Sequence, residues 1–230
     1  MTIARLVSVV ILATCLSGTA KPQSIERIPA GFGSGEKALD KLIEFPDIAT
    51  KLDKTFVCQG ILKANGRLDD GGCYIVEPRD APYVTAINKA AKKAHFKPAR
   101  YNGKNVGVYY QYRVRLSRTD DEKRIRLYAN QAYPENRDAY GDNYIAAQRV
   151  FMREKWQKVC PSRSKFVVLA RAHVAYDGII SSIAITHGSG ISISKQCEQA
   201  IVTTMENSIY MPAYSDGESV PSSYLEAFGN

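Results

Sequence analysis

The residues whose types could do chemistry are few: three histidines, a Gly-Ser-Gly run, two carboxylate clusters and four cysteines past residue 50. His95, His173 and His187 are far apart and form no close-spaced ligand set of the sort a zinc site uses. His95 falls at the end of an expected helix, where a protonated imidazole meets the negative end of the dipole favourably. Gly188-Ser189-Gly190 lacks the Lys-Ser/Thr that a phosphate-binding loop needs and reads as a connection between strand and helix. Asp69-Asp70 and Asp120-Asp121-Glu122 fall in turn and linker, and an acid–base pair needs burial to separate its two pKa values. The expectation is therefore a non-enzyme with no catalytic residues, no metal and no cofactor. A hydrolase would require Ser, His and Asp side chains that only the fold could bring together.

The cysteines point to a compartment. Arg5, the apolar stretch Leu6 to Leu16 and the small residues Gly18 and Ala20 read as a signal peptide cleaved between Ala20 and Lys21. The apolar run is shorter than the ~20 residues a spanning helix needs. Lipidation of Cys15 is the competing fate, and Thr14 before it suits that processing poorly. Cleavage leaves Cys58, Cys73, Cys160 and Cys197, an even set with no Cys-x-x-Cys, which suggests two disulfides in a periplasmic protein. Cys58 and Cys73 lie equally far from Asn65-Gly66, the strongest short hairpin signal, and so face each other across a hairpin. Cys160 and Cys197 pair by elimination.

Composition narrows the partners. The formal charge is +8, spread along the chain with only short clusters such as Lys89-Lys92-Lys93 and Arg113-Arg115. A spread positive charge suits acidic surfaces such as cell-wall polymer or anionic lipid heads. It is not the concentrated basic stripe of a nucleic-acid binder.

The elements that must position these residues recur. Asn65-Gly66 sits between apolar arms, and so does Asp177-Gly178. Ala86-Ile87, Pro98-Ala99, Gly103 and Val106 follow the first turn; Ala200-Ile201, Pro212-Ala213, Gly217 and Val220 follow the second, at equal intervals from Ile to Pro to Gly. Each unit reads as hairpin, helix and strand. Ala81 to His95 carries Val84, Ile87, Ala91 and Ala94 at helical spacing, and Ser194 to Ser208 carries Cys197, Ala200, Ile201, Thr204 and Met205. From Gly103 to Leu116, Val106, Val108, Tyr110, Tyr112, Val114 and Leu116 alternate with Tyr109, Gln111, Arg113 and Arg115, which predicts a long half-buried strand. In the second unit Pro221 predicts that this strand is short, an edge, or missing. Between the units, Arg124 to Tyr128 extends the sheet, Pro134 to Asp142 is loop, and Asn143 to Gln157 carries two apolar stripes at helical spacing. The fold class is α+β, with two β-β-α-β modules at 51–116 and 166–230. A partly helical N-terminal segment (21–50) precedes them and a connecting segment (117–165) joins them.

The set Gly60-(x)5-Gly66, Ala86-Ile87-(x)8-Phe96-Lys97-Pro98-Ala99-(x)3-Gly103-(x)2-Val106 and the strand end Val114-Arg115-Leu116 is similar to the C-terminal domain of TonB. The second unit supplies Asp177-Gly178, Met211-Pro212-Ala213 and Asp216-Gly217, and the two cover about half of the chain. The resemblance implies a small β-β-α-β fold that offers a sheet edge to an extended peptide, such as one from an outer-membrane receptor. With the leader removed, neither a persistent anchor nor a proline-rich spacer is expected, so the resemblance implies binding without energy transduction. The expected partner is an envelope protein or extended peptide, taken up along Gly103 to Leu116 as a free edge, with Val108, Tyr109, Tyr110, Gln111, Tyr112, Arg113 and Arg115 as the contact residues. A basic, wall-associated structural role is the alternative.

Overall fold

A computed structural model describes residues 25–48, 51–152, 156–160, 167–188 and 193–229. The cleavage site at Ala20 and Lys21, and Cys15, lie outside the described residues. The fold is α+β, with short and long antiparallel strands against two principal helices.

Two repeats account for most of it. The first contains β1 (Arg27–Ile28), α1 (Leu39–Leu42), β2 (Leu52–Leu62), β3 (Leu68–Cys73), α2 (Ala81–Lys93), β4 (Ala99–Tyr101), β5 (Lys104–Val106) and β6 (Val108–Arg118). A linker adds β7 (Lys123–Tyr128) and α3 (Pro134–Tyr140). The second contains β8 (Gln148–Arg149), α4 (Trp156–Val159), β9 (Val167–Val174), β10 (Ile180–His187), α5 (Lys195–Glu206), β11 (Tyr210–Met211), β12 (Ala213–Ser215), β13 (Glu218–Val220) and β14 (Ser222–Gly229). The large sheets run β3-β2-β6-β7 and β10-β9-β14.

Equivalent residues make equivalent pairs. Leu62 opposes Val108, and Val174 opposes Ser222, each four residues before its turn glycine. Ile28 pairs with Arg100 and Gly31 with Lys97; Ile145 pairs with Tyr214 and Gln148 with Met211. The repeat thus reaches back to β1–α1 and to β8–α4, beyond the boundaries expected from the motifs. Two of those expectations are corrected here. Within the expected helix Asn143–Gln157, residues 143–152 are not helical, and the described helix begins only at α4, because Ile145 and Val150 pair with the backbones of Tyr214 and Ile209. The Pro134–Asp142 loop holds a helix, with Pro134 in its first turn where no backbone donor is needed. The second closing strand is an edge, one of the outcomes Pro221 predicts; it begins just past Pro221 and pairs with β9 along its whole length.

The hairpins explain the first disulfide. Lys63 and Arg67 close a three-residue turn in which Gly66 takes φ 79°, one residue longer than the two-residue turn the spacing suggests. An extra residue in β3 then shifts the register between Gln59 and Ile61, so that Cys58 does oppose Cys73. The bulge needs glycine: a Cβ on Gly71 would sit 2.3 Å from the Gln59 carbonyl oxygen. β9 and β10 repeat the design with Gly178 at φ 77° and a shift between Ile180 and Ser182. The disulfides are Cys58–Cys73 and Cys160–Cys197, the second tying α4 to α5.

α2 buries Tyr83, Val84, Ile87, Ala90 and Ala91 against the inner face of β2 and β6, where Val108, Tyr110, Tyr112, Val114 and Leu116 are fully buried. α5 buries Cys197, Ile201 and Met205 against Val168, Ala170, Ala172 and Val174. Ser194 caps α5, its hydroxyl accepting from the Cys197 backbone N–H. Asp80 does not cap α2; its carboxylate accepts from the Glu77 N–H and pairs with Lys54.

Candidate peptide-binding edge

The strand expected to be a free edge is interior. β6 pairs with β2 over its whole length, and with β7 from Arg113 to Arg118. Alternation of apolar and polar residues marks a two-faced strand and carries no information about its lateral neighbours, so it does not tell an edge strand from an interior one.

The supposed recognition face is also covered. Gln111 is buried, and its Nε2 donates to the Leu225 carbonyl at 2.9 Å. Arg113 is buried over the Tyr128 ring and donates to Asn130 Oδ1 at 2.9 Å and Asp142 Oδ1 at 3.3 Å. Arg115 forms a two-pronged pair with Asp53, 2.7 Å at each prong. Tyr109 lies under the Arg149 guanidinium and against Phe151, while Val108, Tyr110 and Tyr112 face α2. Five of these seven side chains are buried in the interior of the molecule; Tyr109 is half-buried, and Arg115 is paired at the surface.

The two large sheets have four lateral margins, and three of them are guarded. β3 is short and bulged, and its Cys73 N–H is taken by Asn88 Oδ1 of α2 at 3.0 Å. β7 carries Lys123, Arg124 and Arg126, and charged side chains on an edge oppose further pairing. β14 is closed by side-chain amides. Asn136 of α3 donates to the Ser223 carbonyl at 2.7 Å and accepts from the Ser223 N–H at 2.9 Å, as a neighbouring strand would. Gln111 and Gln131 both donate to the Leu225 carbonyl.

β10 is different. Its eight residues, Ile180 to His187, contain no Lys, Arg, Asp, Glu or Pro, and among the described residues only β9 pairs with it. Ile183 and Ile185 pack inward, whereas Ser181, Ser182, Ala184, Thr186 and His187 are exposed. The ladder sets which backbone groups are free. Ser223 and Leu225 turn away from β9, so Ser222, Tyr224 and Glu226 bond to it, and by alternation His173, Arg171 and Leu169 bond to Ser182, Ala184 and Thr186. The N–H and C=O of Ile183 and Ile185 therefore point outward, free to pair with an added strand. Sequence reasoning used this segment only as a hairpin arm; its lack of charge was the available signal.

No chemical constellation accompanies the edge. No group of three or more His, Cys, Asp or Glu suited to a metal ion occurs among the described residues. His187 lies 3.6 Å from Glu198, the exposed His173 stands opposite Ser182 across the β9–β10 ladder, and the exposed His95 is in the first repeat. The groove between β3 and α2 is lined by Lys63, Arg67, Asp69, Asn88 and Lys92, without a nucleophile beside a base. The disulfides fit an oxidising compartment, and no described helix is long and apolar enough to cross a membrane. No family model, curated protein or solved structure matches the chain.

Proposed function

We propose that this is an exported, non-catalytic binding protein of the TonB C-terminal-like type, which takes an extended segment of an envelope partner as a strand added to β10. The observation that carries the reading is the unguarded edge at Ile180–His187, where the other three margins of the two large sheets are shortened, charged or capped. Unprotected edges invite pairing, and selection removes them where pairing is harmful. Backbone bonds at Ile183 and Ile185 supply affinity, and the outward Ser182, Ala184 and Thr186 set selectivity. The hairpin–helix–hairpin–strand order of each repeat supports the TonB-like reading. The mature chain begins at Lys21, which intact mass of the exported protein checks.

Hydrogen exchange tests the binding mode. The Ile183 and Ile185 amides should exchange freely in the isolated protein and become protected once a partner from an envelope extract is bound. Ala184→Lys adds a guard while keeping the ladder to β9, and should abolish capture. Unchanged exchange at both amides in the complex, or undiminished capture by folded Ala184→Lys, would refute strand addition here.

A further inference from the structure

Unpaired cations gather at one place on the first repeat, around the C-terminal end of α2. Lys92 and Lys93 occupy its last turn, and exposed His95 and Lys97 follow. Two more segments bring charge to the same point. The His95 N–H donates to the Lys37 carbonyl at 3.0 Å, and the Phe96 N–H donates to the carbonyl of Gly66, next to Arg67. Lys37, Arg67, Lys92, Lys93 and Lys97 are all exposed, and none has a carboxylate partner within ion-pair distance among the described residues. The acids nearby are Glu36, beside Lys37; Asp69 and Asp70, which line the groove with Arg67 and Lys92 and of which Asp69 is engaged by Lys63; and Glu44, which is engaged by Lys89 with Lys93 adding at longer range. Elsewhere in the first repeat pairing is the norm: Lys51, Lys54, Lys63, Lys89, Arg100, Arg113, Arg115 and Arg118 each have a carboxylate partner.

The second repeat is an internal control. At the positions of Lys92, Lys93, His95 and Lys97 it has Glu206, Asn207, Ile209 and Met211, and at the position of Arg67 it has Ile179. α5 ends without a basic residue in its last turn and forms nonetheless. The fold and the helix dipole therefore do not require cations here.

We infer that this cluster is a docking surface for a bilayer bearing anionic headgroups, separate from the β10 edge. Charge complementarity is the argument. A laterally mobile anionic surface rewards the number of cations it meets, at ~1 kcal/mol each, and needs no oriented site. None of the large exposed apolar or aromatic side chains falls among these residues, so the surface offers no ring for a sugar to stack on and no wedge for insertion. Contact is peripheral, electrostatic and salt-sensitive.

The test is co-sedimentation with phosphatidylcholine vesicles, with and without phosphatidylglycerol, at low salt. The wild type should bind only the anionic vesicles. Reversing the cluster (Lys92→Glu, Lys93→Glu, Lys97→Glu) should weaken binding roughly tenfold or more, because three favourable contacts become repulsive. A control with the same net charge (Lys104→Glu, Arg126→Glu, Lys195→Glu) should lose far less. If circular dichroism shows the reversed cluster to be misfolded, the three Lys→Gln changes are read instead, with a smaller loss of the same sign. Equal losses in cluster and control would reduce the effect to net charge and overturn the proposal. So would a wild type that ignores anionic vesicles, or one that prefers soluble polyglutamate to them.

Discussion

Arg149 is fully buried, and everything around it comes from elsewhere in the chain. Its guanidinium meets Glu226 with two bonds, 2.8 Å from Nε and 2.6 Å from Nη2, reaches Ser208 Oγ at 3.3 Å, and lies 4.3 Å over the Tyr109 ring. The Tyr224 hydroxyl donates to the same carboxylate, and burial pushes that phenol well above its ordinary pKa. A buried pair is costly to break because one charge is left uncompensated. Glu226→Gln should therefore lower stability by ~3–5 kcal/mol in chemical denaturation. Replacing both partners, Arg149→Met with Glu226→Leu, should recover much of that loss. A second residue-scale effect concerns acid. The hydrogen bond from Lys54, together with the Glu77 N–H, holds the Asp80 carboxyl below its ordinary value. A depressed carboxylate contributes stability that is complete above the unfolded pKa of about 3.9 and is lost as pH falls through the folded value. Asp80→Asn should accordingly flatten the decline of stability below about pH 4, measured by denaturation across a pH series.

At the scale of elements, the two turn glycines carry the same burden. A Cβ on Gly66 would sit 2.5 Å from the Phe96 carbonyl oxygen, and one on Gly178 2.4 Å from that of Tyr210, with positive φ at both. The hairpin tip docks on the segment leaving the helix, so Gly66→Ala and Gly178→Ala should each cost at least ~1–3 kcal/mol from backbone strain alone, with contact loss added. Thermal denaturation checks this. Removing either disulfide should cost about 2–4 kcal/mol, and non-reducing peptide mapping should return Cys58 with Cys73 and Cys160 with Cys197. Much of this level was legible in the sequence: turn glycines, Ala-Ile on the helices and Pro-Ala after them are residue types that backbone geometry selects. The opening third of each repeat was not, because Gly31 and Gln148, or Leu39 and Trp156, share a backbone partner or a helix position but no residue type. The lateral order of strands was equally silent. The extension by Arg124 to Tyr128 was visible as a strand, yet nothing in its residues said that it would lie against β6.

At the scale of the molecule, the repeats are joined through contacts that neither could satisfy alone. Gln148 exchanges two hydrogen bonds with the Ala30 backbone, 2.7 Å and 2.9 Å, and the Phe151 N–H donates to the Gly107 carbonyl. Together with Gln111, whose Nε2 donates to the Leu225 carbonyl, they bury polar groups whose partners lie in the other repeat, and a buried orphan costs about 1–3 kcal/mol. Unfolding should therefore be a single transition, with tryptophan fluorescence, which reports Trp156 of the second repeat, coinciding with far-ultraviolet circular dichroism. Two separated transitions would mean that the repeats unfold independently. The amide of Asn136 has a further consequence at this scale. One side chain stands in for a whole strand at Ser223, and what a single rotamer closes a single substitution reopens. Asn136→Ala would free the Ser223 N–H and C=O while Gln111 and Gln131 still hold the Leu225 carbonyl, leaving a chain sticky at β10 and partly sticky at β14, a bifunctional monomer in the polymer chemist's sense, and such monomers grow end to end. Its solutions should scatter light increasingly with concentration and time, while the wild type, adhesive on one side only, has nowhere to propagate.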